Sequence, residues 1–423
     1  MKINRLSLRN FKGFDQRSFD FHPSVNVLIG DNGTGKSSVL DAAAFMLGTF
    51  FIGVDGIPTY ALKNRDKRRL MVDRNSLETQ LPLSLEIEHE IDGETLAWHR
   101  DTNRASGNST TYASARELVR KARELTQAVR DGDRADLPLI AYYGTERLSE
   151  EKKSRKSGNK KNDGGSRLEG YRDALDPRAM KERFMAWFRD AETARLQDLQ
   201  DETQSQDLLL YQAFVAVLGA TLPDWENIHY NFKRKDIVGK AGDEWKEFES
   251  LSAGYKSMVR LCADIAYRAI RLNPHLGAEA VTATKGVVLV DEIDMHLHPK
   301  WQRVVVDRLQ TAFPNIQFLL TTHSPFIVQS LKADELINLD DNRIDDDPDS
   351  RTLEDNALFM GVESAHSAEF EEKRQVSYDF FKLLEGEDSP ENRAQIDLLI
   401  ERTTDPVFRA KLEIERLIKF GKA

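Results

Sequence analysis

Residues 25–40, VNVLIGDNGTGKSSVL, constrain this chain more than any other stretch. Val25, Val27, Leu28 and Ile29 read as a short buried strand, and the apolar run behind Lys36-Ser37-Ser38 reads as a helix. Between them, Gly30, Gly35, Lys36 and Ser37 fit G-x-x-x-x-G-K-[ST], with Gly33 as an extra glycine. Such a loop curls its backbone N–H groups around a phosphate. The lysine reaches the β/γ oxygens and the hydroxyl of Ser37 is offered to Mg²⁺. The start of the helix adds partial positive charge beneath the phosphates. Gly30, Asn32, Gly33, Thr34, Gly35, Lys36, Ser37 and Ser38 are therefore the expected nucleotide cradle. A chance glycine turn is the poorer reading, because the strand before and the helix after are both present.

Composition narrows the class. Of 423 residues, 40% are apolar and 31% charged, which suits a core carrying long exposed helices. No apolar run approaches the roughly 18–20 residues of a membrane span. The N-terminal MKINRLSLRNFKGF alternates charge with apolar residues and reads as neither a signal nor a transit peptide. The single cysteine, Cys262, excludes an intramolecular disulfide framework and a cysteine-based zinc site, and reads as a buried structural thiol. A cytoplasmic location with no membrane partner is expected. The net charge of −10 argues against polyanion binding over the whole surface and leaves room for a local basic patch. Two stretches are candidates. One is 63–74, with Lys67, Arg68 and Arg69; the other is 149–167, which has no apolar residue and reads as a flexible basic loop.

Periodicity predicts strands over 2–9 and 17–29 around a turn at 9–14, and a helix over 36–51. A hairpin is expected over 83–100 through Asp92-Gly93, then a helix over 115–131 and a strand over 137–143. Helices over 176–219 precede strand-like segments at 228–238 and 245–250. A turn at 251–254 leads to a helix over 255–272. Strands at 286–290, 316–321 and 335–339 alternate with helices at 299–312 and 325–331. An acidic loop at 340–350 precedes helices over 365–420, broken near Ser389-Pro390 and Pro406.

Phosphoryl transfer also needs a carboxylate for Mg²⁺ and a group that positions water. Residues 286–292, GVVLVDE, supply a buried strand ending in two acids, expected beside the P-loop strand. Asp291 would join Ser37 at the metal, and Glu292 would act as general base. Burying such a pair costs several kcal/mol unless a cation is present, so a purely structural role is disfavoured. The strand 318–322 ends at His323, placed to hydrogen-bond a γ-phosphate. Ser252 and Gly254 lie in L-S-A-G-Y just before a helix, a pattern that alone means little more than an N-cap. His296 and His298 read as part of a shaped turn rather than a metal site, and the aspartates of 340–349 as a solvated loop.

Taken in order, these motifs resemble the ABC-type ATPase head: Walker A, an LSGGQ-like signature, Walker B, D-loop and switch histidine. The opening LSLRNFKGF and the later DEIDMHLHP are similar to the SMC, Rad50, RecF and OLD-type group of heads. The resemblance implies an α/β fold with a mixed sheet around the P-loop, an antiparallel β subdomain, a helical insert and a C-terminal helical extension. The implied division is an N-terminal ATPase lobe (1–148), a basic loop and helical insert (149–250), a C-terminal lobe (251–340) and an acidic loop with a partner-docking tail (341–423). It also implies ATP and Mg²⁺ as cofactors. Ser252 and Gly254 of one copy would cap the γ-phosphate held by another, giving a head-to-tail dimer or a higher even oligomer. The usual Q-loop glutamine is not evident, and YGTER (143–147) lies where it is expected. More closely, YYGTERL, GYRDALDPR, NPHLG and VDEIDMHLHPKWQR resemble the PtuA family of Septu anti-phage systems, also found with retrons. That resemblance implies an ATPase controlling a separate HNH-type nuclease subunit, with DNA or a retron reverse transcriptase and its msDNA as further partners. No HNH signature occurs in this chain. The competing expectation is a RecF-like DNA repair or recombination ATPase that clamps DNA through its basic stretches.

Overall fold

The computed structural model describes residues 1–423 except 74–75, 92, 108, 146–165, 177–182, 223, 341–345, 362–367, 387–388 and 422–423. The basic loop 149–167 thus falls almost wholly outside the described residues, as does part of the acidic loop. The chain divides into two compact units, Met1–Asn356 and Ala357–Ala423.

An antiparallel sheet opens the first unit. Its strands are β1 (Lys2–Phe11), β2 (Phe14–Asp20), β6 (Leu83–Ile91) and β7 (Glu94–Thr102), in the order β2-β1-β6-β7. The P-loop strand β3 (Val25–Ile29) is separate from β2, whereas the sequence predicts one strand over 17–29. Pro23 cannot donate to a ladder, and Asn26 closes the corner by bonding the N–H and C=O of His22 at 2.7 and 2.8 Å. After α1 (Lys36–Leu47) the chain tightens into a 3-10 turn, Phe50–Gly53, so the predicted helix ends a turn early at Gly48. A two-stranded ribbon, β4 (Arg69–Asp73) with β5 (Ser76–Thr79), precedes β6, and α2 (Arg116–Arg130) follows β7.

The nucleus of the unit is a parallel sheet in the order β14-β3-β13-β12-β8. Its members are β3, β8 (Leu139–Tyr143), β12 (Gly286–Val290), β13 (Ile316–Thr321) and β14 (Leu336–Asn338). β3, β8, β12 and β13 are buried along their whole length, as strands covered on both faces must be. One polar residue interrupts the apolar run of β13. Gln317 bonds the backbone of Ile3 on both sides, at 2.7 and 2.8 Å, and the carbonyl of His22 at 2.9 Å, which ties the antiparallel sheet to the parallel one. The acidic strand β12 does not lie beside β3 as expected; β13 runs between them. The acids therefore reach the P-loop across one strand end, and that intervening end becomes part of the site.

Between β8 and β12 the chain builds α3 (Arg183–Asp201) and α4 (Gln206–Thr221). A three-stranded antiparallel sheet follows, β9 (Glu226–Asn231), β10 (Asp236–Ala241) and β11 (Glu244–Glu247), with β10 central. The segment 228–238, read from the sequence as strand or irregular, is thus a hairpin turning at 232–235. Next come α5 (Ala253–Leu272) and the short α6 (Ala280–Ala283). Cys262 is buried in α5, and burial pushes its thiol up to about 12, consistent with a structural thiol. The predicted helix 299–312 is two, α7 (Pro299–Gln302) and α8 (Val305–Ala312); then come α9 (Pro325–Val328), β14 and α10 (Leu353–Phe359).

The second unit holds α11 (Ala368–Glu385), α12 (Pro390–Arg402) and α13 (Pro406–Phe420), broken where the prolines predict. Phe380, Leu384, Ile396, Ile400 and Leu412 form its own core.

Candidate nucleotide-binding site

The P-loop runs from the end of β3 to the start of α1, as the sequence requires. Gly35 has φ +103°, and a Cβ there would sit 2.6 Å from the Phe14 ring. Gly30 is held as tightly, between Thr34 and Asp340. The aromatic at position 14 and the aspartate at 340 therefore shape the loop from outside it. Asp340 Oδ2 accepts the N–H of Asp31 at 2.9 Å. The sequence reading placed Asp340 in a solvated acidic loop; it instead braces the P-loop from the end of β14.

Lys36 is buried and donates to the carbonyls of Gly30 (2.6 Å) and Asp31 (3.0 Å). Burial lowers its pKa, and the surrounding carboxylates of Asp340, Asp291, Asp31 and Glu292 recover only part of the shift. Asn32 and Gly33 are exposed, Thr34 turns its hydroxyl back to Asp31 O at 3.0 Å, and Ser38 is half-buried in the first turn of α1.

Three strand ends converge on this loop. Asp291, buried at the end of β12, accepts the Ser37 hydroxyl at 3.1 Å and the Thr321 hydroxyl at 2.6 Å. Two oxygens on adjacent corners of a Mg²⁺ octahedron lie about 2.9 Å apart when each bond is about 2.0–2.1 Å. The Ser37–Asp291 pair fits that edge, and oxygen ligands supplemented by phosphates are how this ion is usually held. Glu292 has φ +48°, uncommon for a residue with a side chain and typical of functional sites. Its N–H is fixed by Thr321 Oγ1 at 2.7 Å. One hydroxyl on the intervening strand thus orients both acids. His323 follows on the same strand end. It is exposed, and its N–H points to Asp294 at 3.3 Å, while Thr322 bonds the same carboxylate at 2.6 Å.

Sequence reasoning missed Thr321, Asp340 and a further cluster on α1. There, Asp41 accepts from Tyr60 (2.7 Å) and Tyr142 (3.1 Å) and pairs with Lys12 of the N-terminal turn. A single acid inside an otherwise apolar helix was the available signal. The YGTER segment is described only to Thr145. Tyr143 closes a different network, its hydroxyl donating to Asp264 at 2.7 Å and its carbonyl accepting the Asp291 N–H at 2.8 Å.

Ser252 and Gly254 make their contacts at the start of α5 and at the 291–298 turn. Ser252 is exposed and caps α5 by accepting from Tyr255 N at 3.5 Å. Gly254 meets the 291–298 turn, where a Cβ would lie 2.2 Å from the carbonyl oxygen of His296. His296 has φ +63°, and His298 caps α7 through Lys300 N at 3.2 Å; both act in shaping this turn. Among the described residues no group of three or more His, Cys, Asp or Glu is placed to hold a metal. In the basic stretch 63–74, Lys67 is buried and donates to the carbonyls of Arg104, Ala105 and Gly107, so it cannot serve a nucleic-acid phosphate.

Residues 5–212 match the family described as AAA domain. The chain is 25% identical to "Retron Vc95 probable ATPase" from Vibrio cholerae serotype O1 biovar El Tor, over 79% of this chain and 73% of that protein. It is 25% identical to "Retron Ec83 probable ATPase" from Escherichia coli, covering 79% and 71%. Septu protein PtuA from Bacillus thuringiensis is 23% identical over 82% and 77%. The chain is an ATPase related to PtuA and the retron ATPases. Its head is the mixed α/β unit built around β3 and α1. Among the described residues of this ATPase, no helix is long and apolar enough to cross a membrane.

Proposed function

We propose that this ATPase is the nucleotide-gated subunit of an anti-phage defence complex. Two copies close head-to-tail on ATP, and the closed state controls a separate HNH-type nuclease. The reading is carried by one contrast. Ser37, Asp291, Glu292 and Thr321 gather at the P-loop within one chain, while Ser252 is exposed and spends its hydroxyl on its own helix. A second copy is the source of a signature facing this P-loop.

In this mechanism Lys36 and the P-loop N–H groups bind the β/γ-phosphates. Ser37 and Asp291 would hold Mg²⁺, which would supply charge neutralisation on the phosphate oxygens. Glu292, fixed by Thr321, accepts a proton from the attacking water. His323 and the partner's signature position the γ-phosphate. The relatives named as retron ATPases and as Septu protein PtuA support the defence role. In the second unit, Val407, Ile414 and Ile418 leave 72%, 55% and 73% of their surface exposed on α13. Their spacing of seven and four puts them on one helix face, suited to docking the nuclease. DNA, or a retron reverse transcriptase with its msDNA, remains a further partner within this proposal; cytoplasmic location belongs with it.

The test is Glu292→Gln. It should slow ATP turnover by about 10²-fold or more and accumulate an ATP-dependent dimer, read by light scattering after gel filtration. Adding Ser252→Arg should return that variant to monomer. Wild-type turnover in Glu292→Gln would remove the general base, and a monomer with ATP would overturn the shared site. Failure to co-purify with the product of a neighbouring nuclease gene would overturn the nuclease partnership alone.

A further inference from the structure

The sheet β9-β10-β11 has one face occupied and one face open. On the occupied side Ile228, Tyr230 and Ile237 are buried, and a Cβ at Gly239 would lie 2.4 Å from the Trp225 ring, so the sheet is held firmly from behind. On the other side His229 of β9 and Trp245 of β11 meet edge to face at 5.6 Å. The central strand passes between them, and Val238 is paired with His229 on one side and Glu247 on the other. Beside these rings is a cleft of about 330 Å³, within the range of small-ligand sites, into which Asn231, Arg234, Lys246 and Glu247 also project.

Two large aromatics here are far from buried. Trp245 keeps 58% of its surface exposed on the open face, and Phe232 keeps 46% in the β9–β10 turn, edge-on to Tyr230 of the occupied side at 5.4 Å. The β9–β10 turn, which carries Phe232, is fixed by hydrogen bonds. Asn231 Oδ1 accepts the N–H groups of Lys233 and Arg234 at 3.0 Å, and its carbonyl accepts Lys235 N at 2.7 Å. It presents three consecutive cations beside Phe232. Arg234 is paired with Glu247, while Lys233 and Lys235 are exposed.

We infer that this face is a stacking platform for single-stranded nucleic acid. The exposed Trp245 ring, beside His229 on a firmly backed sheet, offers a π-face to unstacked bases, and the lysines of the adjoining turn track the backbone. A duplex hides its base faces and is held chiefly through phosphates, for which a chain of net charge −10 has no broad basic field. The position gives binding a route to the ATPase. β11 runs through Phe248–Ser250 to Ser252, and Glu249 is gripped by Asp236 of β10 through its N–H (3.0 Å) and by Lys256 (3.2 Å) and Arg260 (3.3 Å) of α5 through its carboxylate. The inference concerns residues outside the nucleotide site and stands whether or not the head dimerises.

The experiment uses the full chain and a fluorescein-labelled mixed-sequence DNA single strand of about 20 nucleotides, read by anisotropy between 50 and 200 mM salt. Base–aromatic stacking is worth about 1–3 kcal/mol per base, so Trp245→Ala should weaken binding about 5- to 150-fold. Trp245→Phe should retain most of the affinity. The pair Lys233→Gln and Lys235→Gln should reduce the salt slope by about 1.4, at about 0.7 per phosphate contact on a single strand. Excess ATP should leave the oligonucleotide bound, and the matching duplex should bind more weakly. Wild-type ATP turnover in each variant reports an intact fold. Displacement by ATP would assign the cleft to free nucleotide and overturn the inference. Equal affinity of Trp245→Ala and wild type, or no single-strand binding at 50 mM salt, would also overturn it and leave the face to a protein ligand.

Discussion

Two buried cations of this ATPase meet opposite fates. Arg268, in α5, donates to Asp264 (2.7 Å) and to the carbonyls of Gly170 (2.9 Å) and Arg172 (3.1 Å), and Asp264 also receives the Tyr143 hydroxyl. Burial pulls the guanidinium down, but Asp264 and Tyr143 outweigh it and the net shift is upward. Lys36 is buried against two carbonyls with its carboxylates at a distance, and its net shift is downward. The first charge is balanced inside the chain and holds α5 to the 170–172 segment. The second is under-balanced, and in the proposed mechanism the polyphosphate of ATP supplies the missing charge. A cation that builds the fold is thus set apart from one that the proposed mechanism assigns to a ligand.

Exchanging each cation for methionine is the most forceful way to break that comparison. Arg268→Met strands Asp264 in the interior and should cost about 3–5 kcal/mol in urea denaturation. Adding Asp264→Asn should recover part of that loss. Lys36→Met removes a charge that the fold disfavours, so stability should hold or rise by up to about 1 kcal/mol. Its affinity for a fluorescent ATP analogue should nevertheless fall 100-fold or more. Equal destabilisation by the two substitutions would show that Lys36 is structural after all.

A smaller effect is expected at Thr321, where one hydroxyl serves Asp291 and the backbone of Glu292. Thr321→Val should lower kcat about 10-fold with little change in KM, and cost about 1–2 kcal/mol through the unsatisfied N–H and carboxylate. Thr321→Ser should restore turnover. Loss of KM without loss of kcat would place Thr321 in nucleotide binding instead.

These residues also mark where sequence reasoning stops. The P-loop was legible because its chemistry is local: strand, glycines, lysine and hydroxyl lie within sixteen consecutive residues. Asp291-Glu292 stood out as a candidate because two acids closing an apolar strand are costly without a cation. Thr321 was not legible, because its role depends on β13 lying between β3 and β12, and strand order is a long-range property that no local pattern carries. The same holds for Asp340, which reaches the P-loop from the end of β14, and for the clamp of Gln317 on Ile3. Lys67 misled for the opposite reason. In a run of basic residues it looks like the rest, and only the fold turns it inward onto three carbonyls.

A third buried base completes the comparison, since it has no counter-charge at all. His89 lies in β6, fully buried and edge-on to Trp98 at 4.4 Å. Burial lowers its pKa from 6.5 to about 3, so the folded protein keeps it neutral where the unfolded chain takes up a proton. Stability from this group is complete above about pH 6.5 and is lost as pH falls toward 3, at up to about 1.4 kcal/mol per pH unit. His89→Phe, similar in size and unable to titrate, should differ from wild type by no more than about 1.5 kcal/mol at pH 7.5. Between pH 6 and 4 its urea midpoint should fall less steeply, by the equivalent of up to one proton. Parallel acid profiles would mean that the wild-type interior admits a charge at position 89 without penalty. Burial alone would then not explain the downward shift at Lys36, and the contrast with Arg268 would lose its physical basis.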